Sequence, residues 1–168
     1  MPYERLTFDP TAGSIVREPP GSGYGYWVGG HKVSWDPEIG FVIFYRLRTP
    51  LEHGRGGSCR VAISEDGVEF TDVWSAEKQE LAASSIEVGH PVRHDDGWRL
   101  YLSYERAGQP GYWRIDVLEG QTPAQFDTQG RRTVLDPGNF DLGFIKDPFV
   151  HRTDDGGYRL YATVDPRG

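Results

Sequence analysis

The chain has 168 residues, of which 37% are hydrophobic and 13% aromatic, enough to build the core of one ordinary domain. Its formal net charge is -7 and its basic residues are scattered singly, which argues against a nucleic-acid partner because such partners need concentrated Lys and Arg. No apolar run reaches the roughly 18 residues of a membrane span, and residues 1–10 lack the basic and apolar regions of a signal peptide. We therefore expect no membrane partner and, by default, a cytoplasmic protein.

Gly and Pro residues, 22 and 12 of them, separate short aromatic and β-branched runs, a composition typical of all-β proteins. The single Cys59 excludes an internal disulfide and a multi-cysteine metal site, so we expect it to be a small buried core residue. No P-loop, dinucleotide fingerprint or histidine pair with metal-ligand spacing is present, so we expect neither a cofactor nor a metal.

A strand, a tight turn and a second strand recur along the chain. Residues 98–104 alternate as a two-faced strand does, and Asp96-Gly97 before them is a strong hairpin signal. The same pattern returns about 60 positions later, in FIKDPFVHRTDDGGYRLYATV, and occurs about 57 positions earlier, in YWVGGHKVSWDPEIGFVIFYRLR. Four strands in each repeat of about 58 residues predict the blades of a β-propeller.

The predicted elements divide the chain into a lead-in and three units. Residues 1–24 are the lead-in, with a strand around 6–8, and residues 25–168 form a partial propeller with units 25–83, 84–140 and 141–168. The predicted strands are 26–33, 41–48, 58–64 and 68–73, then 86–93, 98–104, 112–118 and 131–135, then 144–151 and 158–164.

The third unit stops in mid-blade at Gly168, whereas a closed ring needs at least about four blades. We therefore expect the N-terminal part of a longer, five-bladed propeller, holding about two and a half to three of its blades. The competing interpretation is that two copies pair to complete a ring, with self-association through the open blade edge.

Two inner strands begin with an acid, Glu87 in Ser-Ile-Glu and Asp147 in Lys-Asp-Pro, and each leads into an Asp-Gly hairpin and an aromatic-Arg-Leu-Tyr run. Over residues 25–164 this resembles the five-bladed β-propeller glycoside hydrolases, a superfamily that includes arabinanases, β-xylosidases, invertases and levansucrases. The resemblance implies acids that point into one central pocket and a carbohydrate substrate. The acids at the starts of the inner strands depart from the family pattern, which is aspartate, aspartate and glutamate in chain order. Here the first inner strand has Gly29-Gly30-His31 at this place and therefore no acid.

Cleaving a glycosidic bond needs one acid to protonate the departing oxygen and one carboxylate as base or nucleophile. Our working assignment is Glu87 as general acid and Asp147 as the base or the charge that tunes it. The alternative for Glu87 is a structural carboxylate that caps backbone amides or pairs with Arg93 or Lys146. The predicted function is glycoside hydrolysis or transglycosylation; a non-catalytic carbohydrate-binding or protein-interaction propeller is the alternative.

Substrate-binding candidates come from the loops expected to border the pocket and from the first residues of the inner strands. Sugars need hydrogen-bonding groups and aromatic faces, and these candidates are His31, in the acid's position of the first unit, with Arg55, Trp74, Phe140 and Lys146. The alternative is that loops are polar in any case, that His31 is a buried imidazole, and that Lys146 only neutralises Asp147 or is solvated.

Overall fold

The computed structural model describes Asp9 and residues 11–166. Ten strands and two short 3₁₀ helices are formed within these residues. The strands are β1 Trp27–Asp36, β2 Gly40–Arg48, β3 Ser58–Ser64, β4 Thr71–Glu77, β5 Ala83–His94, β6 Gly97–Arg106, β7 Trp113–Gly120, β8 Arg132–Leu135, β9 Leu142–Arg152 and β10 Tyr158–Pro166; the 3₁₀ helices are Leu51–His53 and Pro137–Asn139. No helix in the described part of the chain is long and apolar enough to cross a membrane.

Three antiparallel sheets follow one another along the chain. Their strand orders are β1-β2-β3-β4, β5-β6-β7-β8 and β9-β10, so every strand pairs with its sequence neighbour as in a propeller blade. Strand β5 packs against both β1 and β9, which brings the first strands of the three sheets together. The all-β fold and the succession of blades predicted from the sequence are confirmed.

The main core lies between the first and second sheets. Phe44 and Cys59 of the first sheet and Trp98 and Tyr104 of the second are at most 1% exposed and belong to one apolar cluster. Burying such side chains is the main favourable contribution to folding. Cys59 is a core residue, as predicted.

The opposite face of the first sheet is covered by residues 14–17. There Ile43, Tyr45 and Ala62 form a second apolar cluster. The Arg17 guanidinium donates hydrogen bonds to the Tyr45 hydroxyl at 3.0 Å and to a carboxylate oxygen of Asp72 at 3.0 Å. These bonds fix the segment that precedes the first blade against that blade.

One predicted strand has different ends in the structure, and another falls outside the described residues. The fourth strand was expected at 68–73 but runs from Thr71 to Glu77, because the Asp66 carboxylate accepts the N–H groups of Val68 at 2.8 Å and Glu69 at 2.9 Å. An Asx turn of this kind competes with strand pairing and lengthens the loop. The strand expected around 6–8 lies outside the described residues.

Candidate functional site

The first strand of each sheet has the same irregularity, in which two residues lie opposite one residue of the second strand. The pairs and their single partners are Gly30-His31 with Tyr45, Glu87-Val88 with Ser103, and Asp147-Pro148 with Ala162. Such bulges bend a strand and redirect its side chains. Glu87 and Asp147 are therefore structurally equivalent, as the sequence repeat predicted, and their counterpart in the first sheet is Gly30 rather than His31.

Backbone conformation distinguishes the first residue of two of these bulges. Asp147 has φ 57° and Gly30 has φ 64°, both in the left-handed region. Glycine adopts this region freely, whereas for other residues it is uncommon; aspartate is among those that tolerate it. A residue held there despite its side chain is a common feature of functional sites.

One buried hydroxyl connects the two acidic bulges. Ser103, which is fully buried in β6, donates to the Val88 carbonyl at 3.1 Å and accepts the Val88 N–H at 3.3 Å. The same oxygen accepts the N–H of Asp147 at 3.2 Å. The backbones that hold Glu87 and Asp147 are thus fixed relative to each other across the boundary between the second and third sheets.

The Glu87 carboxylate is held by two arginines of the neighbouring sheet. Its Oε2 accepts hydrogen bonds from Arg48 Nη2 at 2.8 Å and from Arg46 Nη1. The arginine side chains are each 9% exposed and the glutamate side chain is 16% exposed. The predicted partners, Arg93 and Lys146, are not involved, because the residues that reach Glu87 come from β2, some 40 positions earlier in the chain.

Strand pairing explains why both arginines can lie here. In the register of β1 and β2, Arg48 is opposite Trp27 and Arg46 is opposite Gly29. The guanidinium carbons of Arg46 and Arg48 lie 4.8 and 4.9 Å from the centre of the Trp27 ring, within the range of cation–π attraction. A Cβ at Gly30 would lie 3.0 Å from Arg46 Nε, so the glycine gives this side chain its room.

Burial and like charge oppose the ionised form of these arginines. Burial lowers the pKa of Arg46 to about 10, with Arg48 and Arg55 adding to the shift and Asp147 opposing it. The pKa of Arg48 is lowered by burial and by Arg55. Three guanidinium groups and the two acids therefore form one electrostatic cluster.

The two acids differ in what surrounds them. A carboxylate between two guanidinium groups is favoured in its ionised form, and an ionised carboxylate cannot donate a proton. This environment opposes the general-acid role first assigned to Glu87. The Asp147 carboxylate, by contrast, makes no hydrogen bond or ion pair to another residue in the described part of the chain, so it is available to a ligand.

Two of the predicted substrate-binding residues adjoin this cluster, one along the backbone and one electrostatically. Lys146 precedes Asp147 in β9, and its Nζ lies 5.2 Å from the centre of the Phe144 ring and 5.8 Å from that of Trp113. Arg55 is exposed in the loop before β3 and acts electrostatically on Arg46 and Arg48.

Three predicted residues are not brought to the acids. His31 is exposed and lines a groove with Ile43 and Tyr45, on the face of the first sheet away from Arg46. Trp74 lies within β4, where its indole N–H donates to the Phe126 carbonyl at 2.9 Å. Phe140 ends the second 3₁₀ helix and is 56% exposed. His31 and Trp74 lie elsewhere than expected because a one-residue shift in a strand reverses the face of a side chain and because the loop before β4 is longer than predicted.

Sequence reasoning missed the residues that surround Glu87, namely Trp27, Arg46, Arg48 and Ser103. The run FVIFYRLR carries a signal, because two arginines at alternate positions of an apolar strand share one face and need a buried anion. In the described residues no group of three or more His, Cys, Asp and Glu side chains is placed to hold a metal ion.

Comparison with solved structures relates this arrangement to known proteins. A GH43 β-xylosidase/α-arabinofuranosidase from a compost microbial metagenome, in complex with xylotriose, matches 88% of this chain with 17% identity and a TM-score of 0.62. A GH43_1 enzyme from Xanthomonas citri, solved with xylose, matches 80% with 15% identity and a TM-score of 0.57. The same enzyme solved with xylotriose matches 83% with 16% identity and a TM-score of 0.58.

The chain has the propeller fold of these enzymes. It spans 45% of the metagenomic chain and 39 to 40% of the Xanthomonas chains, so the match covers less than half of each solved protein. The resemblance predicted from the sequence is thereby confirmed for the propeller fold, whereas its levansucrase- and invertase-like part has no support from these structures. No family model matches the chain, and no curated protein matches it.

Proposed function

We propose that the protein hydrolyses or transfers glycosides at the propeller axis. The observation that supports this proposal is the pair of carboxylates, Glu87 and Asp147, at equivalent bulge positions of adjacent blades. A shared hydrogen bond to Ser103 connects the two bulges. Glycosidic cleavage requires two carboxyl groups; of this pair, Asp147 is proposed to take part in the reaction, and Glu87 to hold the cationic residues beside it.

The environments of the two acids suggest different roles. Asp147 has a carboxylate free of protein partners and close to a cationic cluster, which suits an ionised base or nucleophile. Glu87 is the fixed negative charge that holds Arg46 and Arg48 in place. The proton for the departing oxygen then comes from a pocket group other than these two carboxylates.

A second candidate is carbohydrate binding without catalysis. The observation that favours it is Gly30, which leaves the bulge of the first sheet without a carboxylate while Glu87 is occupied by two arginines. In this case the sugar would be held by the same residues and no bond would be broken.

Hydrolysis is tested on the protein as its gene encodes it, with 4-nitrophenyl β-D-xylopyranoside and 4-nitrophenyl α-L-arabinofuranoside as substrates. Asp147→Asn should lower kcat by about 10²- to 10⁴-fold, the usual contribution of an acid or base. Asp154→Asn, in an exposed hairpin of the same sheet, is the matched control and should leave kcat unchanged. Turnover by Asp147→Asn equal to that of the control would refute the role of Asp147. Saturable sugar binding without any turnover by the unmodified protein would favour the binding module.

A further inference from the structure

Arg46 and Arg48 have more hydrogen-bonding capacity than the protein uses. A guanidinium group carries five N–H donors, yet Arg46 donates only to the Ile86 carbonyl at 2.8 Å and to Glu87, and Arg48 donates only to Glu87, among the described residues. Both arginines use the same carboxylate oxygen. The Nε atoms of both are buried and have no hydrogen-bond partner in the described part of the chain.

The local charge is also unbalanced. Arg46, Arg48 and Arg55 act on one another, and the acids near them are Glu87 and Asp147. Arg46 and Arg48 are buried and Arg55 is exposed, so the three cations exceed the two acids by one, and an anionic ligand would reduce the repulsion among the guanidinium groups. The pKa values of Arg46 and Arg48 are lowered first by burial and then by the neighbouring guanidinium groups.

The first bulge supplies no anion to these arginines. The equivalent positions in the other two sheets carry the side chains of Glu87 and Asp147, but Gly30 has none. The unpartnered Nε of Arg46 lies 3.0 Å from the point where a Cβ of residue 30 would be. Arg46 fills the room beside Gly30, so a ligand oxygen would instead meet Arg46 Nη2 and Arg48 Nη1. These atoms bond no other described residue and, unlike the Nε atoms, are not buried.

We infer that this site takes a sugar that carries a carboxylate, as a hexuronic acid does, and that Arg46, Arg48 and Arg55 receive the carboxylate. Planar guanidinium groups bind carboxylates through paired hydrogen bonds, which gives both affinity and orientation. The inference rests on the proposed function in that it uses the same pocket, and it names an acidic sugar as the substrate class. Sulfate and phosphate esters of sugars present similar oxygens, so the experiment compares a sugar carboxylate with a sugar sulfate.

The test measures binding of methyl β-D-glucuronide, methyl β-D-glucoside and glucose 6-sulfate to the protein as its gene encodes it, by calorimetry or ligand-observed NMR. The first two ligands differ only in a carboxylate against a hydroxymethyl group. The glucuronide should bind at least about tenfold tighter than the glucoside, since a hydrogen bond to a charged group is worth that much. Added salt should weaken its binding.

Two variants locate the binding to the arginine cluster. Arg55→Gln removes an exposed member of the cluster, so the fold should be kept, and glucuronide affinity should fall several-fold while glucoside affinity stays the same. Arg106→Gln, at the exposed end of β6, is the matched control and should change neither affinity.

Equal affinity for glucuronide and glucoside would overturn the inference, as would an Arg55→Gln effect no larger than that of Arg106→Gln. Tighter binding of the sulfate than of the glucuronide would overturn the choice of a carboxylate. Turnover of neutral glycosides without glucuronide binding would refute the acidic sugar and leave the proposed hydrolysis standing. Glucuronide binding without turnover of any glycoside, the uronide included, would support the acidic sugar and refute hydrolysis.

Discussion

Replacing Glu87 by Gln should destabilise the fold strongly, although the two side chains have nearly the same size. The substitution leaves Arg46 and Arg48, both 9% exposed, without the anion that they share. Removing one partner of a buried ion pair costs about 3–5 kcal/mol. For a protein of this size that corresponds to a fall in Tm of about 6–20 °C, and the Gln carbonyl, which can still accept one hydrogen bond, favours the lower end. Urea unfolding followed by circular dichroism measures the change.

A matched control for this variant exists in the second sheet. Glu119 also accepts hydrogen bonds from two arginines, Arg99 at 3.2 Å and Arg132 at 3.1 Å, but its side chain is 56% exposed. Glu119→Gln should cost no more than about 1 kcal/mol, as exposed ion pairs do. If Glu87→Gln is no more destabilising than Glu119→Gln, burial of the charge is not what makes Glu87 important. Adding Arg48→Met to Glu87→Gln should recover part of the loss, because one uncompensated cation is removed.

Three other substitutions have definite expected outcomes. Gly30→Ala should lower stability by about 1–3 kcal/mol and weaken binding of the glucuronide, since its φ of 64° is unfavourable for Ala and the new Cβ would meet Arg46 Nε; unchanged unfolding would contradict this. Asp147→Asn should change stability by less than about 0.5 kcal/mol, because Asn also tolerates a left-handed backbone, so loss of activity without loss of Tm separates chemistry from folding. Burial lowers the pKa of His90 to about 4, and its Nδ1 accepts the Val150 N–H at 2.9 Å. The unfolded chain therefore takes up a proton near pH 6.5 that the folded chain refuses, and stability falls from there towards pH 4 by up to about 3 kcal/mol. His90→Asn should show a shallower fall in urea titrations at pH 7.5 and 5.0, and an identical pH dependence would refute the assignment.

The blades could be predicted because their signals are local. Asp-Gly turns and two-residue alternation lie within single hairpins, and β3, Ser58–Ser64, was predicted with its observed ends. The equivalence of Glu87 and Asp147 followed from the repeat in the same way. The failure at β4 has a local cause of another kind, because one carboxylate, that of Asp66, lengthens a turn without any change in hydrophobic pattern.

The surroundings of Glu87 could not be predicted because they depend on contacts between blades. Strand periodicity says which residues share a face but not which face of one blade meets the next. His31 and Gly30 show the difficulty. The sequence repeat aligned the start of the first inner strand with Glu87 and Asp147 to within one residue. That one residue decides whether the equivalent position is the exposed His31 or Gly30, which lies beside Arg46. The arginine pair in β2 was the available clue, but its partner could be identified only in three dimensions.

The four residues at the boundary of the first two blades depend on one another. A side chain at position 30 would meet Arg46, so the glycine is needed while the arginine is present. Arg46 and Arg48 in turn need Glu87, because two buried cations without an anion would be costly. Replacing Gly30 by an acid should therefore be tolerated only together with a smaller residue at position 46, since the new carboxylate would need the space that the guanidinium now fills. The absence of an acid from the first bulge and the presence of the arginine pair are for this reason coupled in the structure. In the proposed recognition of an acidic sugar, the ligand supplies the negative group that the first bulge lacks.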